Sequence, residues 1–280
     1  MIDLVFTIFC STSIALLIRF SGTKNEKPIV LLAANYFIAS IISLFYIFYF
    51  DSKFSLTVVS FGLVLGLLFV LSFFAFTRAV SLAGTALATV SSRLSVIVPL
   101  IFSIIIFSEQ PTVFQVTGML IGLVTIWFFY LSIKSTSNSA KNDKIKYFYL
   151  LAVLIGIGIN DFSMKIFQTT YSEAEKPYFL FAIFFSAFLY SLIYIKMTKI
   201  SLEKNTVIKG AILGVPNVYS TFFLIGALTQ LPAVLVFPLT NIGIIILTAI
   251  LARLIFKERL NKYGIYSLVL GVISILFLTA

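Results

Sequence analysis

Long apolar runs separated by short polar gaps set the pattern of this chain. Ten of them, at roughly 2–20, 28–50, 56–77, 81–107, 111–133, 146–168, 177–197, 206–228, 232–256 and 262–280, each approach the ~20 residues that cross a bilayer core as a helix. The one long polar connector runs from Lys134 to Lys146, with Ser135-Thr136-Ser137-Asn138-Ser139 at its heart. The expected fold is an all-α integral membrane protein of ten transmembrane helices, five in residues 1–134 and five in 146–280, joined by a linker at 135–145.

The two halves repeat each other. Glu26-Lys27-Pro28 returns 149 residues later as Glu175-Lys176-Pro177, and Leu31 and Ala33 return as Leu180 and Ala182. Gly62 and Gly66 return as Gly210 and Gly214, one residue out of that register, and Phe107, Glu109 and Gly122 return as Phe256, Glu258 and Gly271. Five spans is an odd number, so the second copy enters the bilayer upside down, which predicts an inverted repeat.

Composition agrees with the spans: 60% of residues are hydrophobic, 11% are charged, and the mean hydropathy is +1.12. The 31 Phe and 13 Tyr suit lipid-facing and interfacial positions. The net charge of +10 does not point to nucleic acid, because the basic residues lie in the gaps between spans. Sixteen Lys and Arg fall in the odd-numbered gaps, three on the other face, and Arg93 inside a span. The positive-inside rule then puts both termini outside the cytoplasm, in what is expected to be a bacterial plasma (inner) membrane. A reporter fused after Ala280 is expected to be active on the non-cytoplasmic side; activity confined to the cytoplasm would overturn this orientation. Residues 1–20 lack a basic leading segment and read as a retained helix.

A lone Cys10 and the absence of histidine exclude a disulfide framework, a histidine-based metal centre and a Ser-His-Asp triad, so no cofactor or metal is expected. No Walker A sequence or phosphate-binding glycine loop is present, so ATP is not the direct energy source.

The fourth and fifth spans, through Val98-Pro99, Phe107-Ser108-Glu109, Phe114-Gln115-Val116-Thr117-Gly118 and Gly122, resemble those of the EamA branch of the drug/metabolite transporter superfamily. Phe256-Lys257-Glu258-Arg259-Leu260, Gly264 and Gly271 resemble the same signature in the second half. The resemblance covers essentially the whole chain. It implies a secondary transporter, often an exporter of amino acids or related metabolites, with a central cavity lined by spans 1, 3, 4, 6, 8 and 9 and with spans 5 and 10 at the periphery.

Two ionisable residues read as deep. Counted from the basic face at about 1.5 Å per residue, Arg93 lies about 18 Å in and Asp161 about 22 Å in. A cation at that depth costs between roughly 2.5 and 17 kcal/mol, so Arg93 is expected to face a polar interior, with Asp161 as its partner. A carboxylate-bearing substrate could displace Asp161, because a guanidinium offers a fork of donors suited to carboxylate. Asp161 is also the candidate for proton coupling. Asn160, Asn217, Asn241 and Asn35 complete the candidate binding set, and Pro99, Pro216 and Pro238 are candidate hinges. Lys165 is expected to snorkel to the interface. Glu109 and Glu258, at span ends, read as scaffold. The glycine pairs 62/66, 210/214 and 118/122 read as close-packing faces, the last an alternative homodimer surface.

The expected function is export of a small anionic or zwitterionic metabolite, such as an amino acid, by alternating access, with the membrane lipid as solvent. Two alternatives stand beside it. An enzyme acting on a lipid-linked substrate would need clustered catalytic groups, whereas the ten acids here are scattered. A non-transporting scaffold would leave Arg93 and Asp161 with a purely structural task.

Overall fold

The computed structural model describes residues 1–21, 27–83, 85–134, 144–256 and 261–280, and every regular element among them is helical. In chain order the α-helices are α1 (Ile2–Ser21), α2 (Pro28–Tyr49), α3 (Leu56–Ala83), α4 (Thr85–Leu94), α5 (Ile97–Phe107), α6 (Val113–Lys134), α7 (Lys144–Thr170), α8 (Lys176–Thr198), α9 (Lys204–Gln230), α10 (Ala233–Phe256) and α11 (Lys262–Thr279), with one 3-10 turn, Glu173–Glu175, ahead of α8. Among the described residues nine helical stretches are long and apolar enough to cross a membrane, and Ile2–Ile18 adds a shorter apolar one. The chain is thus an all-α membrane protein. Its large exposed side chains, such as Phe48, Ile105 and Leu254, are apolar, as a surface solvated by acyl chains requires.

Local chemistry sets the helix ends. Pro28 and Pro177 open α2 and α8, where a missing N–H costs nothing. Asn261 caps α11, its side-chain oxygen accepting from the Gly264 N–H at 2.8 Å. Ser108 and Lys199 close α5 and α8 in the left-handed conformation, at φ of 54° and 53°.

The helices gather into two compact units, each drawing on both halves of the sequence. The first comprises Ser72–Lys165 and Ala227–Ala280, with Met1; the second comprises Ile2–Leu71 and Ile166–Gly226. In the first, α6 lies along α11, and α10 packs on α11, α5 and α6. Serine hydroxyls tie the α6–α11 pair: Ser274 donates to the Gly118 carbonyl at 2.6 Å, and Ser267 to the Thr125 carbonyl at 3.1 Å. Gly118 and Gly122 are therefore occupied by packing within the chain, against Leu278, Ser274 and Ile242.

In the second unit α2 lies along α8. Gly62 and Gly66 of α3 press on Ala182, Ile183 and Ser186 of α8, while Gly210 and Gly214 of α9 press on Leu31, Ala34 and Ile38 of α2. These glycine pairs are the close-packing faces expected from their spacing. Phe167 and Phe179 stack with ring centroids 4.1 Å apart, and α1 is fixed to α9 by a 2.6 Å Ser11–Ser220 hydrogen bond and by Phe6 on Phe223.

The fourth span is not one helix. It breaks at Ser95 and Val96, between α4 and α5. Pro99 is the cause: it has no N–H to donate to the Ser95 carbonyl, and its ring crowds that carbonyl. The freed carbonyl takes the Val98 N–H at 3.0 Å instead, and the Ser95 hydroxyl turns back to Ser92 at 2.6 Å. Pro216 and Pro238, by contrast, lie inside the continuous helices α9 and α10.

Candidate functional site

Arg93 occupies the last turn of α4, immediately before the break. Its guanidinium donates one long hydrogen bond, 3.4 Å, to Oδ1 of Asn241 on α10. The amide is held for this task, since its Nδ2 donates to the Phe237 carbonyl at 3.1 Å. No ion pair within 4 Å joins Arg93 to Asp161 among the described residues. The two charges nevertheless lie close enough to act on each other. A guanidinium has five N–H donors. Here the described side chains take up one of them.

Asp161 and Asn160 come from α7, where Gly156 and Gly158 shape the surroundings. A Cβ on Gly158 would stand 2.5 Å from Val98 Cβ and 2.9 Å from the Ser95 carbonyl, so only glycine lets α7 meet the α4–α5 junction this closely. A Cβ on Gly156 would meet the Ser72 hydroxyl at 2.6 Å. That hydroxyl accepts from Asn160 Nδ2 at 3.2 Å, while Asn160 Oδ1 is buried without a hydrogen-bond partner. Thr240, beside Asn241, also buries an unpartnered hydroxyl. Buried polar groups are normally satisfied, so two orphans flanking Asp161 and Asn241 in sequence mark this part of the unit as one with hydrogen-bonding capacity to spare. Gly156 and Gly158 were missed from sequence; the signal was a Gly-Ile-Gly just ahead of Asn160-Asp161.

Beside this group lies a cleft of about 150 Å³, walled by Val96, Leu100, Met119, Ile126, Pro238 and Asn241. Asn241 is the polar side chain of its wall.

Asn35 and Asn217 belong to the second unit and satisfy each other: Asn217 Nδ2 donates to Asn35 Oδ1 at 3.1 Å. This is the geometry of interhelical glue between α2 and α9. A groove of about 690 Å³ between α1 and α9 is bordered by Cys10, Ser13, Pro216 and Tyr219, with no charged residue among the described residues of its wall.

Lys165 does not snorkel. It is 7% exposed, and its ammonium lies 3.1 Å from Oε1 of Glu109 and 5.6 Å from the centre of the Phe107 ring. The same carboxylate accepts the backbone N–H groups of Ala233 and Val234, each at 2.9 Å, at the start of α10. Glu109 therefore joins α5, α7 and α10, a scaffold task in keeping with its expected role, but in a buried setting rather than a watered helix end. Glu258 lies outside the described residues, as do 135–143 of the expected linker.

No family model matches the chain. It is 29% identical over 273 residues to an uncharacterized protein of Haemophilus influenzae, covering 93% of this chain and 91% of that one. A protein of known crystal structure superposes with a TM-score of 0.81 over 99% of this chain and 95% of its own, at 15% identity. The architecture of helices described above is shared with that solved fold.

Proposed function

We propose that this protein is a secondary transporter of the EamA kind, moving a small organic solute that carries a carboxylate, by alternating access of two inverted five-helix repeats. One observation carries the reading: a guanidinium deep in an apolar span, held by a single long bond to Asn241, with Asp161 near but unpaired to it. A purely structural arginine in a membrane would be expected to close its donors on a carboxylate or on carbonyls. Arg93 keeps them, and Asn241 is oriented beside it. The repeat is supported by the packing of helices that correspond at the 149-residue offset, α2 on α8 and α6 on α11. Asp161, within electrostatic reach, is the group that could carry a proton through the cycle.

The test is counterflow of a solute panel in proteoliposomes. Hydrogen bonds to a charged group are worth about 1.5–3 kcal/mol. Arg93→Ala is accordingly expected to lower uptake of the transported acid on the order of 10–100-fold, with Arg93→Lys recovering part of it. Asp161→Asn is expected to remove any dependence on an imposed pH gradient. If folded Arg93→Ala and Asp161→Asn proteins transport every substrate found at the parent rate, the site is wrong. A loss of stability with no flux in any variant, parent included, would favour the scaffold.

A further inference from the structure

We infer that α5 is a hinged arm latched at its tip by Glu109, and that release of the Lys165–Glu109 pair is what lets this end of the first unit open. The inference borrows its purpose from the transport reading, but the latch itself can be tested without any substrate.

The hinge is the break at Ser95 and Val96. There the regular ladder gives way to a mixed set: Ser95 N–H on the Ser91 carbonyl at 3.2 Å, a long 3.4 Å bond from Val96 to the Arg93 carbonyl, Val98 to Ser95 at 3.0 Å, and Leu100 to Val96 at 3.2 Å. Beyond it α5 is an 11-residue rod, roughly 16 Å long at about 1.5 Å per residue. Its outer side, with Ile101, Ile105 and Ile106 about half exposed or more, faces fluid acyl chains, so movement outward meets little fixed packing. Its inner side rests on α10 and, through Phe102 and Phe107, on Phe162 of α7 at 5.1 and 5.9 Å between ring centres.

At the tip the left-handed Ser108 folds the chain over, so that the N–H groups of Ser108 and Glu109 both return to the Ser103 carbonyl. Glu109 then reaches away from its own helix. The bonds to its carboxylate come from α7, through Lys165, and from α10, through Ala233 and Val234. Lys165 stands one turn from Asp161 on α7, and α10 carries Asn241. The helices that hold the tip are thus those that carry the candidate ligand contacts, while the hinge begins two residues after Arg93. A rearrangement at Arg93 and Asp161 acts on both ends of the arm at once.

Two buried serines report on the arm. Ser103 on α5 and Ser191 on α8 are both 0% exposed, and their hydroxyls have no hydrogen-bond partner, so a change to cysteine removes no bond from either. In a Cys10→Ala background, Ser103→Cys and Ser191→Cys are reconstituted in liposomes and challenged from each side with a membrane-impermeant maleimide. Both should react slowly. Adding Lys165→Met or the milder Glu109→Gln should speed labelling at 103 about ten-fold or more, from one side, and leave 191 at the parent rate. Labelling at 103 that stays at the parent rate in both variants overturns the latch. Equal acceleration at 103 and 191 overturns it too, because the pair would then be general packing. Selective opening at 103 in a protein that transports nothing would count against the transport reading and leave the latch standing.

Discussion

Glu109→Ala should cost about 3–5 kcal/mol of folding stability, the usual penalty for breaking a buried ion pair from one side. The alanine leaves the Lys165 ammonium, 7% exposed, without its carboxylate, and strips two N–H groups at the start of α10 of their acceptor. Lys165→Met should cost much less. There the carboxylate keeps both N–H donors and the positive end of a 24-residue helix, and the thioether chain fills the space of the lysine stem. Denaturant titration of the purified protein in detergent, followed by tryptophan fluorescence, would measure the difference. Equal losses of under about 1 kcal/mol in both variants would mean that the clasp is solvated and of little weight.

Gly210→Val should yield little or no folded protein, whereas Gly122→Ala should be nearly silent. A Cβ at 210 would stand 2.2 Å from the Leu31 carbonyl oxygen and 2.8 Å from Ala34 Cβ, both fixed to the backbone region of α2. Overpacking costs about 1–3 kcal/mol even where side chains can shift, and here a whole helix would have to move. At Gly122 the nearest atom, at 3.0 Å, is the end of the flexible Ile242 side chain. Fluorescence-detected size exclusion of the two variants distinguishes them. A monodisperse peak for Gly210→Val at the parent level would show that α9 does not rest on α2 as described.

The spans and most of their limits were legible because bilayer burial leaves a one-dimensional trace, a run of apolar residues of fixed length. The glycine faces were legible for the same kind of reason, since spacing along one helix is a local property. What a side chain meets across helices is not. Arg93 and Asp161 have comparable depths, which suggested a pair, but depth does not set the rotation of α4 against α10, and the bond goes to Asn241. Lys165, one turn from the expected interface, looked free to reach water; the carboxylate that meets it is 56 residues away in sequence, on the far side of α6 in the chain. Pro99 announced a bend, yet the break falls three to four residues before it, because proline disturbs the carbonyl one turn behind rather than its own position.

The pairing of α2 with α8, and of α6 with α11, sets a schedule for biosynthesis. Each partner follows roughly 150 residues later, which at about 5–20 residues per second is about 8–30 s of translation. During that interval α2 must sit in the membrane with Asn35, Ser40 and Ser43, all buried in the finished protein, turned toward lipid or toward a transient companion. The nascent first half is therefore a natural client for the insertion machinery, held until the helix that completes it arrives.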